Sequence, residues 1–450
     1  MIQKERLRPL NNEAARTRDF VVYWMQSSQR TIFNHALEYA IDEANERGKP
    51  LLVFFGLTDR YPAANERHYA FMLEGLREVE RSLKERGIKL VVWPTSPDTG
   101  AVEFSRRACL VVVDRGYTRI ERQWRRFVAR KIDCPLVQVE TNVIVPLEQA
   151  SPKEEFAART LRPKIWKQLP KFLLPLKARR VKKDSTGLKF DSFKLDDVNN
   201  ALARLTIDRT VGRVQSFAGG TAEAQKKLRE FIATKLPAYP ELRNDPNADG
   251  VSHMSPYLHF GQISPLYIAL EVLRAKKKAG AVYLEELIVR RELSMNFVYY
   301  NERYDDFEGL PSWAKQTLKE HEKDKRESIY TLKELENART ADRYWNAAQR
   351  EMVLTGKMHG YMRMYWGKRL IEWSRTADEA FRTALYLNNK YELDGRDANG
   401  FTGVAWCFGK HDRAWPGRPV LGKIRIMKAS GLRRKFDADA YAKKYEVKNG

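Results

Sequence analysis

Five short apolar runs, rich in β-branched residues, punctuate the first third of the chain: Phe20 to Tyr23, Leu51 to Phe55, Ile88 to Val92, Leu110 to Val113 and Leu136 to Val139. None alternates apolar with polar residues, which is the mark of strands buried on both faces of a parallel sheet. Between the runs the period becomes helical. From Glu66 to Arg86 the apolar positions are Tyr69, Met72, Leu76, Val79 and Leu83, with Gly87 as the stop. From Tyr117 to Lys131 the stripe is Ile120, Trp124, Phe127 and Val128. Strands joined by helical crossovers predict an open, doubly wound α/β sheet. Residues 1–18 are polar and read as a loose tail. Periodicity fades from Pro146 to Phe217, and beyond Thr221 the pattern is helical almost to the end. The expected organisation is a tail (1–18), an α/β domain (19–145), a surface-wrapping linker (146–217) and an all-α domain (218–450).

Charge narrows the partners. Lys and Arg number 81 against 58 Asp and Glu, a formal net charge of +23. Such an excess makes a polyanion the expected partner, nucleic acid ahead of an anionic membrane, with binding that weakens as salt rises. The start of the chain carries no apolar signal region and the apolar runs are too short to span a bilayer, so a cytoplasmic protein is expected, nucleoid-associated if prokaryotic. The three cysteines, Cys109, Cys134 and Cys407, are widely spaced and the seven histidines form no ligand motif, so no metal is expected. The glycine-rich dinucleotide fingerprint is missing after the first apolar run, where Trp24-Met25-Gln26-Ser27-Ser28 stands, which argues against a dinucleotide bound there in the usual way.

Candidate chemistry lies in the last third. Five of ten tryptophans fall between residues 345 and 415. Trp366 and Trp373, seven residues apart, share one helix face with Arg363 and Leu370, a stripe along which an electron could hop or which could be ordinary core. The run from Ser252 to Gln262 opens like a helix start: Ser255 can cap and Pro256 suits the first turn, so a pyrophosphate fits that end as well as a plain cap does.

Together with Val21 to Met25, Arg67 to Leu73, Leu242 to Pro246, Gly356 to Trp366 and Leu387 to Gly400, these segments make the chain resemble the photolyase and cryptochrome family, specifically the class II cyclobutane pyrimidine dimer photolyases, from about residue 19 to 445. The resemblance implies a helical domain holding folded FAD, reduced in the active state, and a sheet domain that carries 8-hydroxy-5-deazaflavin, a folate or no antenna. It implies UV-damaged DNA as partner and a monomer. Tyr239, Ser252, Met254 and Ser255 match positions around the flavin nucleotide. Arg363 and Asp394 match the charged pair beside the isoalloxazine, with Asp397 and Asn399 in the same loop, and Asn388 matches the amide facing flavin N5. Trp366, Trp345 and Trp373, in that order outward, match the photoreduction chain, and Tyr361 of the same motif is placed with the reacting set.

Glu286 matches the carboxyl that contacts the lesion bases, where a neutral acid could donate to a pyrimidine carbonyl gaining negative charge. The alternative is a helical ion pair with Arg290, four residues on. Met364 and Trp406 match the walls of the dimer pocket, and Arg243, Asn244, Arg413 and Trp415 match residues that hold the strand or fill the gap left by the flipped lesion. Three departures stand out: Met295 replaces the usual Asp, Ala398 the usual Pro, and the turn from Trp406 to Asp412 is one residue short, which leaves Arg413 and Trp415 the least secure positions. The implied activity is light-driven splitting of cyclobutane pyrimidine dimers by electron transfer to a flipped-out lesion. A (6-4) photolyase and a signalling cryptochrome are the rivals. His253, His259 and His359 sit in other motifs than the paired catalytic histidines of the first, and Asn388 and the lack of a long C-terminal extension speak against the second.

Overall fold

The computed structural model describes residues 2–446. Six strands form one sheet: β1 (Leu7–Pro9), β2 (Phe20–Trp24), β3 (Leu51–Gly56), β4 (Lys89–Trp93), β5 (Ala108–Asp114) and β6 (Leu136–Val139), in the order β1-β6-β5-β2-β3-β4. All pairings are parallel except β1 with β6. Every residue of β2, β3 and β5 is buried, which explains why these strands read as continuous apolar runs. The crossovers are α1 (His35–Glu46), α2 (Glu66–Glu85), α3 (Pro97–Ser105) and α4 (Arg119–Lys131). A capping box starts α4, with Glu121 accepting the Thr118 backbone N–H at 3.0 Å. Phe127, expected on the core stripe of α4, is 42% exposed.

Two expectations are corrected. The loose tail contains β1, and Arg6 beside it is buried, its guanidinium donating to the carbonyls of Glu140, Val143 and Ile144 at 3.2, 3.2 and 2.7 Å. A three-residue edge strand is too short to show a period, and a buried arginine reads as polar. The stretch from 146 to 217 contains a full helix, Ala158–Phe172, followed by a segment laid along the sheet, where Ser185 N–H reaches Gly87 O at 3.0 Å and Phe193 N–H reaches Val92 O at 2.7 Å. Its buried stripe is Leu161, Ile165, Leu169 and Phe172, masked in sequence by Pro163, Pro170 and five cations.

From Thr221 onward the structure is helical, and it packs directly on the turn after β2. Gly261 makes this approach possible: it has φ +66°, and a Cβ there would lie 2.1 Å from Ser27 O. Arg30 crosses the same contact, donating to Gly261 O at 2.9 Å. Glu292, in helix Arg291–Tyr300, accepts the Ile144 N–H at 2.6 Å while its other oxygen has no partner. Burial raises this carboxyl to about 8, with the Ile144 amide and Arg291 opposing. A raised carboxyl makes the folded state hold its proton more tightly than the unfolded chain. Stability is therefore full below the unfolded value and falls as pH rises through about 8. Glu292→Gln is expected to flatten that fall, by roughly 4–5 kcal/mol at alkaline pH. Urea midpoints of both proteins from weakly acid to alkaline pH measure it, and parallel curves would contradict it.

Candidate active site and the indole chain

Helices Arg343–Thr355 and Gly360–Trp373 lie side by side and carry the aromatic chain. Asp342 caps the first, accepting from Tyr344 and Trp345 N–H at 3.1 Å, and Gly356 ends it with φ 76°. His359 caps the second by accepting the Tyr361 N–H. The Trp345 ring stacks on Trp366, with centroids 6.1 Å apart and planes at 9°, and meets Trp373 edge-on at 5.5 Å. Trp345 thus sits between the two tryptophans that share a helix face, and the contact between them runs through the neighbouring helix. Each inner indole N–H has a buried acceptor, Trp366 O for Trp345 at 3.0 Å and Gln349 Oε1 for Trp366 at 2.9 Å. Tyr361 stands apart from these rings, edge-on to Phe436 at 6.0 Å.

Arg363, one turn before Trp366, points into a cavity of about 750 Å³. Tyr239, Ser252, Met254, Ser255, Asp394, Asp397, Asn399, Met364 and Glu286 also line it, together with Lys357, His253 and His359, which the sequence reading did not assign to the site. Arg363 Nη2 lies 3.3 Å from Asp394 Oδ1 and 3.0 Å from Glu392 Oε1. Burial opposes the Arg363 charge, but Glu392 and Asp394 more than offset it and hold the guanidinium charged. Burial likewise opposes ionisation of Asp394, yet Arg363 and Lys357 bring that carboxyl down to about 2. Asp397 goes the other way: burial and the Asp394 charge raise it to about 6. Lys357 donates to Ser255 Oγ at 2.5 Å. That contact replaces the expected cap: the helix at Ser255 has five residues, its N-cap is Met254, and no side chain caps it. Asn388 is buried but does not line the cavity; its Nδ2 donates to Asn389 Oδ1 at 3.1 Å, close behind Gly400.

Among the described residues, four buried nitrogens of side chains lining the cavity have no hydrogen-bond partner: Arg363 Nε, Arg291 Nε, His253 Nδ1 and His359 Nε2. Buried polar atoms in folded proteins are nearly always satisfied, so these identify a wall built for a polar ligand. A volume of about 750 Å³ lies inside the usual range for cofactor sites.

At the cavity mouth the chain from Glu285 to Arg290 is π-helical, which breaks the four-residue spacing. Glu286 does not pair with Arg290; it accepts from Arg243 at 2.8 Å, while Glu285 takes Arg162 at 2.7 Å and Arg290 at 3.7 Å. Arg290 instead stands over the Trp406 ring at 5.5 Å. Asn244 is half-buried next to Arg243. Arg413 and Trp415 lie in the loop beyond the short turn, Arg413 and Arg425 at 4.9 and 5.1 Å from the Trp415 ring, outside the cavity lining.

A second, smaller cavity of about 140 Å³ lies at the C-terminal ends of β2, β3 and β5, where the strand order reverses. The amides after β2 are closed to an anion by the protein itself: Asp114 accepts from Gln26, Ser27 and Ser28 N–H at 3.2, 3.0 and 3.0 Å. Leu258, Arg291 and Asp397 line both cavities.

Comparison with known proteins decides the family. Residues 21–182 match the DNA photolyase family. The chain is 52% identical over 442 residues, 98% of each chain, to a deoxyribodipyrimidine photo-lyase of Methanothermobacter thermautotrophicus. The chain belongs to the DNA photolyase family. A photolyase of the same description from the marsupial Potorous tridactylus is 39% identical over 94% of this chain and 80% of its own. Among solved structures, an archaeal photolyase from Sulfolobus tokodaii with two FAD molecules superposes with a TM-score of 0.71 at 17% identity, over 95% of this chain and 90% of that one. A class III photolyase from Agrobacterium tumefaciens gives 0.70 at 18% identity, over 96% and 87%. These two structures share the photolyase fold, an α/β sheet followed by a helical region.

Proposed function

We propose that this chain is a light-dependent DNA repair lyase that splits cyclobutane pyrimidine dimers, with FAD in the larger cavity. The observation that carries the reading is the contact path Trp373, Trp345, Trp366, which ends one helical turn from Arg363 in a cavity lined by four unpaired buried nitrogens. A bound flavin, reduced and excited by blue or near-ultraviolet light, supplies the electron that opens the cyclobutane ring and recovers it afterwards. Arg363, with Asp394 below it, orients the ring system; Ser252, Ser255, His253, His359 and Lys357 offer donors to its polar groups, and Asp397 and Asn399 close the loop beside it. Asn388, by its match to the family position, would serve the flavin N5 side, where an amide can both donate and accept. The indoles pass electrons inward from Trp373 when the cofactor has to be reduced.

The lesion has to leave the stack to reach van der Waals distance, a requirement already recognised for photolyases, and a crosslinked dimer unstacks more cheaply than a normal base. Met364 and Trp406 form its walls. Docking of the strand draws Arg243 to a phosphate, and the Glu286 carboxyl so released takes up a proton and donates it in a hydrogen bond to a pyrimidine carbonyl. Asn244, Arg413 and Trp415 hold the strand around the gap. All these groups come from one chain, so a monomer suffices. An antenna belongs in the smaller cavity at the sheet crest. Its volume of about 140 Å³ is below the usual range of ligand sites, so a tricycle such as 8-hydroxy-5-deazaflavin enters only if the Tyr61 and Trp124 rings, 6.1 Å apart, open.

The test is illumination of the flavin-reduced protein with an oligonucleotide carrying one thymine dimer, following recovery of thymine absorbance against a dark control. Light-dependent recovery is expected, and none from a protein that holds reduced FAD would shift the reading to a (6-4) enzyme or a signalling cryptochrome. In the same assay Glu286→Ala is expected to lower repair yield about tenfold with flavin content unchanged, the worth of one hydrogen bond to a charged group at ~1.5 kcal/mol. An unaltered yield would return Glu286 to a structural partner of Arg243.

A further inference from the structure

Helix Ala158–Phe172 carries five cations, Arg159, Arg162, Lys164, Lys167 and Lys171, and no acidic residue. Three of these are neutralised locally, Arg162 by Glu285, Lys164 by Glu155 and Lys171 by Glu5. Arg159 and Lys167 have no carboxylate partner among the described residues. Opposite the buried stripe the helix presents Arg159, Pro163 and Trp166 to solvent, and Phe156, two residues before the helix, has the Arg159 guanidinium 5.8 Å from its ring; Phe156 is 48% and Trp166 41% exposed. Single exposed apolar residues need no explanation, but two large aromatic rings aligned with unpaired cations form a surface suited to nucleic acid, where cations take phosphates and aromatic faces take bases or sugars.

The stripe reaches Trp406, the proposed wall of the lesion pocket, from two sides. Phe156 O accepts from His411 at 2.8 Å when that ring carries its proton on Nδ1, and the His411 ring lies 5.5 Å from Trp406. On the other side Arg162 joins Glu285, Glu285 joins Arg290, and Arg290 covers Trp406. Arg159 and Lys167 are eight residues apart on the helix, ~12 Å at helical rise. That is about three to four nucleotide steps of one strand.

We propose that this exposed face of the Ala158–Phe172 helix is a second DNA grip, independent of base sequence, that holds the flank of the lesion-bearing duplex. Arg159 and Lys167 bind phosphates, and Phe156 and Trp166 pack on base or sugar faces beside the lesion pocket. The proposal rests on the repair reading for its choice of DNA, and the experiment separates the two. Dark binding of dimer-containing and undamaged duplexes is measured by fluorescence anisotropy across a salt series, each at full length and trimmed to the nucleotides over the pocket.

Arg159→Glu with Lys167→Glu is expected to reduce the slope of log affinity against log salt by about two on full-length duplex, one per lost phosphate contact, and to leave the trimmed duplex unchanged. Phe156→Ala is expected to weaken full-length binding roughly tenfold with the slope retained. Lys177→Glu with Lys183→Glu changes two exposed cations elsewhere by the same net charge and controls for overall electrostatics. Equal losses of slope in the two double variants, or equal effects on full-length and trimmed duplex, would overturn the proposal. Wild-type protein without preference for the dimer would count against the repair reading alone, since the slope comparison holds on undamaged DNA. Thermal midpoints of all variants establish that they fold.

Discussion

Trp345→Phe is expected to leave the flavin-loaded protein unable to photoreduce its cofactor in the presence of external reductant, while the same variant, reduced chemically beforehand, repairs dimers as well as the wild type. The indole of Trp345 is the ring that touches both Trp366 and Trp373, and its removal interrupts the path at its midpoint. Phenylalanine keeps the site apolar but is a far poorer electron donor, and it loses the N–H that satisfies Trp366 O. Because Trp345 is fully buried, some destabilisation accompanies the change, smaller than the roughly 3–5 kcal/mol of truncation to alanine. Absorbance spectra under continuous illumination read the photoreduction and dimer repair reads the rest. Photoreduction at the wild-type rate would remove Trp345 from the path, and loss of both activities would mean that the variant fails in folding or cofactor retention.

The second large effect belongs to Arg363. Arg363→Met removes the cation that two buried carboxylates share, leaving Glu392 and Asp394 with Lys357 alone. Breaking a buried ion pair from one side costs roughly 3–5 kcal/mol. The protein is expected to lose that stability at neutral pH and to purify without flavin. The sign of the pH dependence follows from Asp394. Its carboxyl is depressed to about 2 in the folded state, so its contribution is present above the unfolded value near 3.8 and is lost as pH falls through about 2. The gap between wild type and variant therefore narrows in strong acid. Urea unfolding of both proteins at neutral and acid pH tests this. Arg363→Lys keeps the charge without the fork and is expected to recover part of the stability. Equal midpoints for wild type and Arg363→Met, with flavin retained, would show that the pair is dispensable.

How far these features were legible from sequence differs from residue to residue. The central strands were visible because burial on both faces leaves no polar position to interrupt them, and each was found within two residues of its observed ends. β1 was invisible, a three-residue edge strand beside a buried arginine whose three carbonyl partners lie more than a hundred residues away. Helix Ala158–Phe172 was lost because two prolines and five cations dilute a four-residue stripe. At the candidate site, family motifs placed Arg363, Asp394, Ser252, Ser255, Met254 and Tyr239 around one cavity, and the structure brings them together. Lys357, Glu392, His253 and His359 carried no local signal of their own. Lys357 lies in the Gly356 to Trp366 run and Glu392 two residues before Asp394, so proximity in the motifs could have suggested both. The alternative ion pair of Glu286 with Arg290 does not form, because a π-helical turn moves residue 290 off the face that regular α-helix would give it.

Sequence alone determined the α/β-then-helical order, the excess of positive charge and the residue types of the candidate site, because periodicity, charge and motif identity are properties of short stretches of chain. Tertiary structure decided the stacked and edge-on contacts by which Trp345 meets Trp366 and Trp373, which acid takes Arg243, which nitrogens of the cavity wall lack partners and where the aromatic and cationic stripe lies relative to Trp406. Each of these depends on side chains from helices or loops far apart in the chain meeting at a few ångströms, and that distance is set by packing, not by spacing along the sequence.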